Sequence, residues 1–196
     1  VVDNGCTDDS VAVAERFGAR VVVEPVRGIA SAASRGYDEA RGSIILRIDA
    51  DTIVTPDWVS RIVHAMEDES IDAVTGAGDF RGFGPVRALL ADLLYFRPYF
   101  RGIGDTVGRV PLFGSNMAIR ATAWRAASGA VHRHDREVHD DLDLALAMEG
   151  ATIVYDPALT VSISARPFRN PVKLARRLYR GVQTARLWDV SIVGLV

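Results

Sequence analysis

Two periods alternate along the front of this chain. Runs of β-branched and aliphatic residues predict strands, and apolar residues recurring every three to four positions predict helices. Val1–Asp3 reads as the end of a strand, followed by the turn signal Asn4-Gly5. A short helix through Phe17 follows, stopped by Gly18, and then a brief strand, Arg20–Val23. Gly28 opens a helix of small residues, Ile29 to Ala40, ended by Gly42. The run Ser43–Ile48 predicts a buried strand that ends in two acids, Asp49 and Asp51. Thr55-Pro56-Asp57 supplies a helix start, and Trp58, Ile62, Val63 and Met66 give that helix an apolar face. Strand and helix in alternation predict an α/β fold whose mostly parallel sheet carries helices on both faces.

After a further strand at Ala73–Thr75 the texture becomes irregular. Gly76–Gly84 is glycine-rich, Pro85–Phe100 reads as an amphipathic helix, and Gly102–Gly108 as a loop. Val110–Arg120 predicts a strand interrupted by Gly114-Ser115-Asn116. Ser128–His139 is a polar loop, Asp141–Glu149 a helix, and Thr152–Tyr155 and Thr160–Ser164 are strands. A long basic helix runs from Asn170-Pro171 toward Trp188.

Composition narrows this picture only slightly. The chain has 196 residues and a formal net charge of −2, enough for one full core and no advertisement of nucleic-acid binding. Its single cysteine excludes an internal disulfide framework and fits a reducing compartment. No apolar run reaches membrane-spanning length. The chain begins inside a strand at Val1 and ends on the apolar Ile192–Val196, so we expect it to belong to a longer protein.

The paired acids carry the first chemical signal. In an extended segment residues i and i+2 point to one side, so Asp49 and Asp51 are expected to converge on a cation and a phosphate-bearing ligand at a strand end. An aspartyl phosphatase of the haloacid-dehalogenase type has Thr or Val where Ile53 stands, and a later catalytic lysine, for which Lys173, the one lysine of the sequence, is unconvincing. A calcium loop requires a glycine this segment lacks. A metal–diphosphate site fits best. His139-Asp140-Asp141-Leu142-Asp143 enters a helix, where acids serve either as dipole partners or, for Asp141, as a general base facing a cleft. Asp143 points to another helical face. Asp3 leaves a strand at a turn, either as part of a capped loop or as an acceptor for a ribose or base edge. His132, His134 and His139 match no defensible metal spacing. Gly114-Ser115-Asn116 marks either a close backbone approach or a bulge. The basic run Arg166, Arg169, Lys173, Arg176, Arg177, Arg180 and Arg186 suits an anionic membrane surface, phosphates or a solvated helix face.

In order, these segments resemble the family-2 glycosyltransferases of the GT-A fold. The matching stretches are Val1–Asp8, Ile48–Asp51, Gly114–Arg120 and Asp140–Leu144 with Gly150 after it. The resemblance implies an inverting transfer from a nucleotide-diphosphate sugar, with Asp3, Asp49 and Gly28 toward the nucleotide and Asp51 on Mn2+ or Mg2+. Asp141 would be the base, and Gly114, Ser115, Asn116 and Asp140 would lie in the sugar and acceptor region. We expect an N-terminally truncated form of the fold, a fragment that lacks the family's first strand and helix. Asp140 replaces the glutamate usual before the base. Gln183–Trp188 carries one residue more than the processive Gln-x-x-Arg-Trp motif, so processivity is not implied. No histidine occurs in Thr160–Ser164, where some members place a late metal ligand.

We therefore expect a GT-A domain over residues 1–168 and a basic amphipathic helix over 169–196 leading toward a membrane. A cytoplasmic protein peripheral to the inner membrane face follows, with a lipid-linked or cell-envelope acceptor. A sugar-phosphate nucleotidyltransferase and a non-catalytic sugar-nucleotide-binding or membrane scaffold are the competing readings.

Overall fold

A computed structural model describes residues 1–165 and 171–190. Its centre is a sheet of four strands: β3 (Ile44–Arg47), β7 (Met117–Arg120), β5 (Ala73–Thr75) and β8 (Ile153–Tyr155), hydrogen-bonded in that order. β7 pairs antiparallel with both β3 and β5, and β5 pairs parallel with β8, so β3, β5 and β8 share one direction. The expected parallel set is present, with one reversed strand inserted into it. β1 (Val2–Asp3) and β2 (Val22–Val23) pair parallel. β4 (Ile53–Val54), β9 (Val161–Ile163) and β6 (Gly78–Phe80) form a small mixed sheet.

Alternation along the strands sorts side chains into two cores. On β7, Met117 and Ile119 enter a cluster with Tyr37, Ile45, Trp124 and Leu144, whereas Ala118 joins Trp58, Ile62, Val74 and Phe113 on the other face. Both faces are covered. α2 (Ile29–Asp38) buries Ala30, Ser31, Ser34 and Tyr37, a stripe small enough for close packing. α3 (Trp58–Ala65) buries Trp58 and Ile62, four apart, on the opposite face. α1 (Ser10–Arg16) and α6 (Ala121–Ala127) complete the shorter helices.

Helical structure at Pro85 extends further than its sequence predicts. α4 (Pro85–Ala91) continues through widened π-type turns at Asp92–Phe96 and Pro98–Ile103 into α5 (Gly104–Val107). Pro98 supplies no backbone N–H, and the widened turns absorb it without ending the helix. The expected loop Gly102–Gly108 therefore shrinks to its end, where Gly108 takes a left-handed conformation (φ 70°). The interrupted strand Val110–Arg120 is also shorter than expected, because β7 begins only at Met117.

α7 (Asp140–Ala147) is buried from Asp141 to Ala147, an element apolar on all sides except its acidic first turn. α8 (Pro171–Leu187) packs against it. Thr184 Oγ1 accepts from the His139 N–H at 2.7 Å, and Trp188 Nε1 donates to Asp143 at 2.8 Å. The basic helix and the residue after it thus hydrogen-bond to the start of α7. No described helix is long and apolar enough to cross a membrane. Arg166, Arg169 and Ile192–Val196 lie outside the described residues, as does the Lys173 side chain.

Candidate active site

Asp49 and Asp51 do reach one cavity, but by a different route from strand alternation. β3 ends at Arg47, and Asp49–Thr52 is a tight turn in which Thr52 N–H donates to Asp49 O at 2.9 Å. Both acids line a cavity of about 800 Å3 together with Ser115 and Phe80. Ser115 Oγ donates to Asp49 Oδ2 at 2.5 Å, fixing that carboxylate. Among the described residues no three His, Cys, Asp or Glu side chains converge into a metal cage. A cation at Asp51 would therefore take most of its oxygens from a ligand's phosphates and from water, which suits Mg2+ or Mn2+.

Asp141 lines a second cavity, of about 340 Å3, that shares Ile29, Asp49, Ser115 and Arg177 with the first. Its Oδ2 accepts the Gly114 N–H at 2.8 Å, and its Oδ1 accepts the Leu142 N–H at 2.8 Å together with His139 Nδ1. Burial alone would raise the Asp141 pKa. The charge and hydrogen bond of His139, with Arg47 and Arg177 behind them, instead hold it below the usual carboxylate range. The base candidate is thus ionised, oriented and 3% exposed.

Two groups at this site escaped the sequence reading. Arg47 Nη1 donates to Asp140 Oδ2 at 2.5 Å and to the Tyr37 hydroxyl at 3.0 Å. Burial would lower the Arg47 pKa, but the Asp140 charge keeps it well above its ordinary value; burial pushes the Tyr37 phenol up to about 12. An arginine inside the apolar run Ile44–Ile48 was the available signal. Gly114 is explained by the same side chain, since a Cβ there would sit 2.9 Å from the Arg47 guanidinium carbon. The second group is His139, set aside with the other histidines, which bridges Asp141 and Arg177 of α8.

The remaining candidates are placed differently. Asn116 faces the core: Nδ2 donates to Ala77 O (2.9 Å) and Leu159 O (2.7 Å), and Oδ1 accepts from Trp58 Nε1 (2.8 Å). Its side chain ties three segments together and lines neither cavity. Asp3 folds back on its own turn, where Oδ1 accepts from Gly5 (3.0 Å) and Cys6 (2.8 Å), and these bonds, the Cys6 one first, lower its pKa. It lines neither cavity either. Gly28 N–H donates to Asn4 Oδ1 at 2.9 Å, which joins the β1 turn to the start of α2 beside the cavity-lining Ile29. Asp143 is buried and accepts from His132 and Trp188. Arg176 and Arg180 pair with Glu137 at 2.6 and 3.7 Å and, with Arg177, line the Asp141 cavity.

A three-layer α/β domain with paired acids at a strand end and a buried carboxylate at a helix start is the arrangement of the GT-A glycosyltransferases. The mannosyltransferase from Pyrobaculum calidifontis, solved in complex with GDP-Man and Mn2+, superposes with a TM-score of 0.67 at 18% identity, over 95% of this chain and 54% of that one. Glucosyl-3-phosphoglycerate synthase from Mycobacterium tuberculosis, in complex with phosphoglyceric acid, gives 0.64 at 22% identity, over 99% and 70%.

Residues 1–124 match the model for glycosyl transferase family 2, and the chain belongs to that family. Uncharacterized glycosyltransferases of Mycobacterium bovis and Mycobacterium tuberculosis are each 43% identical over 76 residues, 39% of this chain. That match spans 34% of each relative's length.

Proposed function

We propose that this chain transfers a sugar from a nucleotide-diphosphate sugar to an acceptor hydroxyl with inversion. The observation that carries this is the junction of the two cavities, one bearing Asp49 and Asp51 and the other Asp141, through Asp49, Ser115 and Arg177. The nucleotide diphosphate occupies the first cavity and the acceptor the second, so that attack and departure lie in line across the anomeric carbon. Asp141 takes the acceptor proton as the new bond forms, a contribution of about 10²–10⁴-fold in rate. Asp51 holds Mn2+ or Mg2+, which when bound neutralises the departing diphosphate. The Pyrobaculum mannosyltransferase, solved with GDP-Man and Mn2+, supports a nucleotide sugar and a divalent cation as the ligands.

The test is a donor panel with Mn2+, read as release of nucleotide diphosphate with and without acceptors. Release of pyrophosphate would replace this reading with a nucleotidyltransferase. No release with any donor, beside a confirmed fold, would sink it.

We further propose a peripheral position at the inner face of a membrane, where a lipid-linked or envelope acceptor would be found. It is supported by the exposed Val86, Leu90 and Leu94 near the start of the long helical segment and by Leu178, Tyr179 and Arg186 on α8. Vesicle sedimentation tests it: absence of binding would remove it, and binding that ignores anionic lipid content would remove the part assigned to the basic helix.

A further inference from the structure

The chemistry proposed above leaves the fork of one cation, Arg177, without a ligand. Arg177 lies where three cavities meet: it borders the Asp51 cavity, the Asp141 cavity, and a third of about 240 Å3 walled by Tyr99, Val107, Leu142 and Val182. The other arginines of the Asp141 cavity are engaged, Arg47 with Asp140 and Arg176 and Arg180 with Glu137. Arg177 forms no ion pair with a described carboxylate. Its Nε lies 3.4 Å from His139 Nε2, and its guanidinium stands over the Tyr95 ring at 5.6 Å. Neither terminal nitrogen has a hydrogen-bond partner among the described residues.

A half-buried guanidinium presenting an open fork is costly unless an oxyanion completes it. We propose that Arg177 anchors an acceptor subsite, and that the acceptor carries an anionic oxygen group, phosphate or carboxylate, near its attacking hydroxyl. The assignment rests on the glycosyltransferase reading. Position favours the acceptor over the donor. Arg177 touches His139, whose other ring nitrogen holds Asp141, so an anion on the fork brings a neighbouring hydroxyl toward the base. The third cavity starts from the same arginine and is walled by apolar side chains. It would accept the chain of an amphiphile, while a small free anion needs only the fork.

The experiment compares kcat/KM for glycerol, glycerol 3-phosphate, glycerate and lysophosphatidic acid as acceptors, on wild type, R177Q and R177K. Anionic acceptors should exceed glycerol by roughly 10- to 100-fold, the worth of a charge-assisted hydrogen-bonded pair. R177Q should collapse that preference, and R177K should retain part of it. A further gain for lysophosphatidic acid identifies an amphiphile, and no gain identifies a small anion. Equal use of glycerol, or a uniform loss on all acceptors in R177Q, overturns the assignment. Nucleotide diphosphate released without acceptor reports the parent reaction separately. Calorimetric titration of glycerol 3-phosphate reads the subsite without turnover, and equal affinity in wild type and R177Q also overturns it.

Discussion

His139 Nδ1 donates to Asp141 Oδ1, two residues further along the start of α7. The bond does two things. It orients the carboxylate whose other oxygen is fixed by the Gly114 N–H, and it keeps that carboxylate ionised against a burial that would protonate it. Arg177 approaches the far ring nitrogen, and the Tyr99 ring lies 6.3 Å from the imidazole. These contacts couple the widened turns at Pro98–Ile103, the start of α7 and α8 at the site.

A pH profile tests that coupling. The Asp141 pKa is lower in the folded chain than in the unfolded one. Its stabilisation is therefore present above the ordinary carboxylate pKa and is lost as pH falls through the folded value. In wild type, kcat/KM should stay flat into mild acid. H139Q removes the charge that most lowers the Asp141 pKa, so that pKa rises and an acid limb should enter the measurable window. A limb that stays put in H139Q would show that His139 does not tune the base.

The Arg47–Asp140 pair gives a stability prediction. Both side chains are about one-seventh exposed, and the bond joins β3 to the first turn of α7. R47M leaves a nearly buried carboxylate unpaired and should cost about 3 kcal/mol, read as a fall in Tm. R47M/D140L should recover most of it. If the single variant melts like wild type, Asp140 is better solvated than its contacts imply.

Much of this architecture was legible because strand and helix periods are local. Ile44–Arg47, Ala73–Thr75, Ile153–Tyr155 and Val161–Ile163 fall inside their expected runs. The helix at Pro85 outran its expected end at Phe100 because the helical turns continue through Gly102 and Gly104, which the sequence pattern marks as a loop, to Val107. Asp49, Asp51 and Asp141 could be nominated from residue type and motif. Their surroundings could not, because Arg47, His139 and Arg177 gain meaning only from partners such as Asp140 and Asp141, brought in by β3, α7 and α8. Asn116 shows the reverse: its motif pointed to the cleft, while its amide is consumed by Ala77, Leu159 and Trp58.

Asn116 should therefore behave as framework. N116L keeps the branching of the side chain but strands the Ala77 and Leu159 carbonyls and the Trp58 indole N–H in a fully buried place. A loss of about 2–4 kcal/mol is expected, seen in denaturant midpoints. A stable N116L variant with a selective rise in donor KM would instead return Asn116 to the sugar site. G76A should fare worse, since its Cβ would fall 1.9 Å from the Leu159 carbonyl oxygen.

The metal prediction follows from how little protein is available to hold one. Asp51 stands at the cavity wall with Asp49 engaged by Ser115, and no cage of three His, Cys, Asp or Glu side chains forms among the described residues. Free Mn2+ should bind weakly to the protein alone, and tightly only when a nucleoside diphosphate supplies further oxygens. Electron paramagnetic resonance of Mn2+ reads this directly: the free-ion signal should persist with protein alone and fall on adding diphosphate. D51A should abolish that fall, whereas D49N, which keeps a hydrogen-bonding group beside Ser115, should weaken the nucleotide more than the metal. Strong Mn2+ binding without nucleotide would mean a resident site with ligands beyond Asp51, and metal delivery by the donor would be wrong.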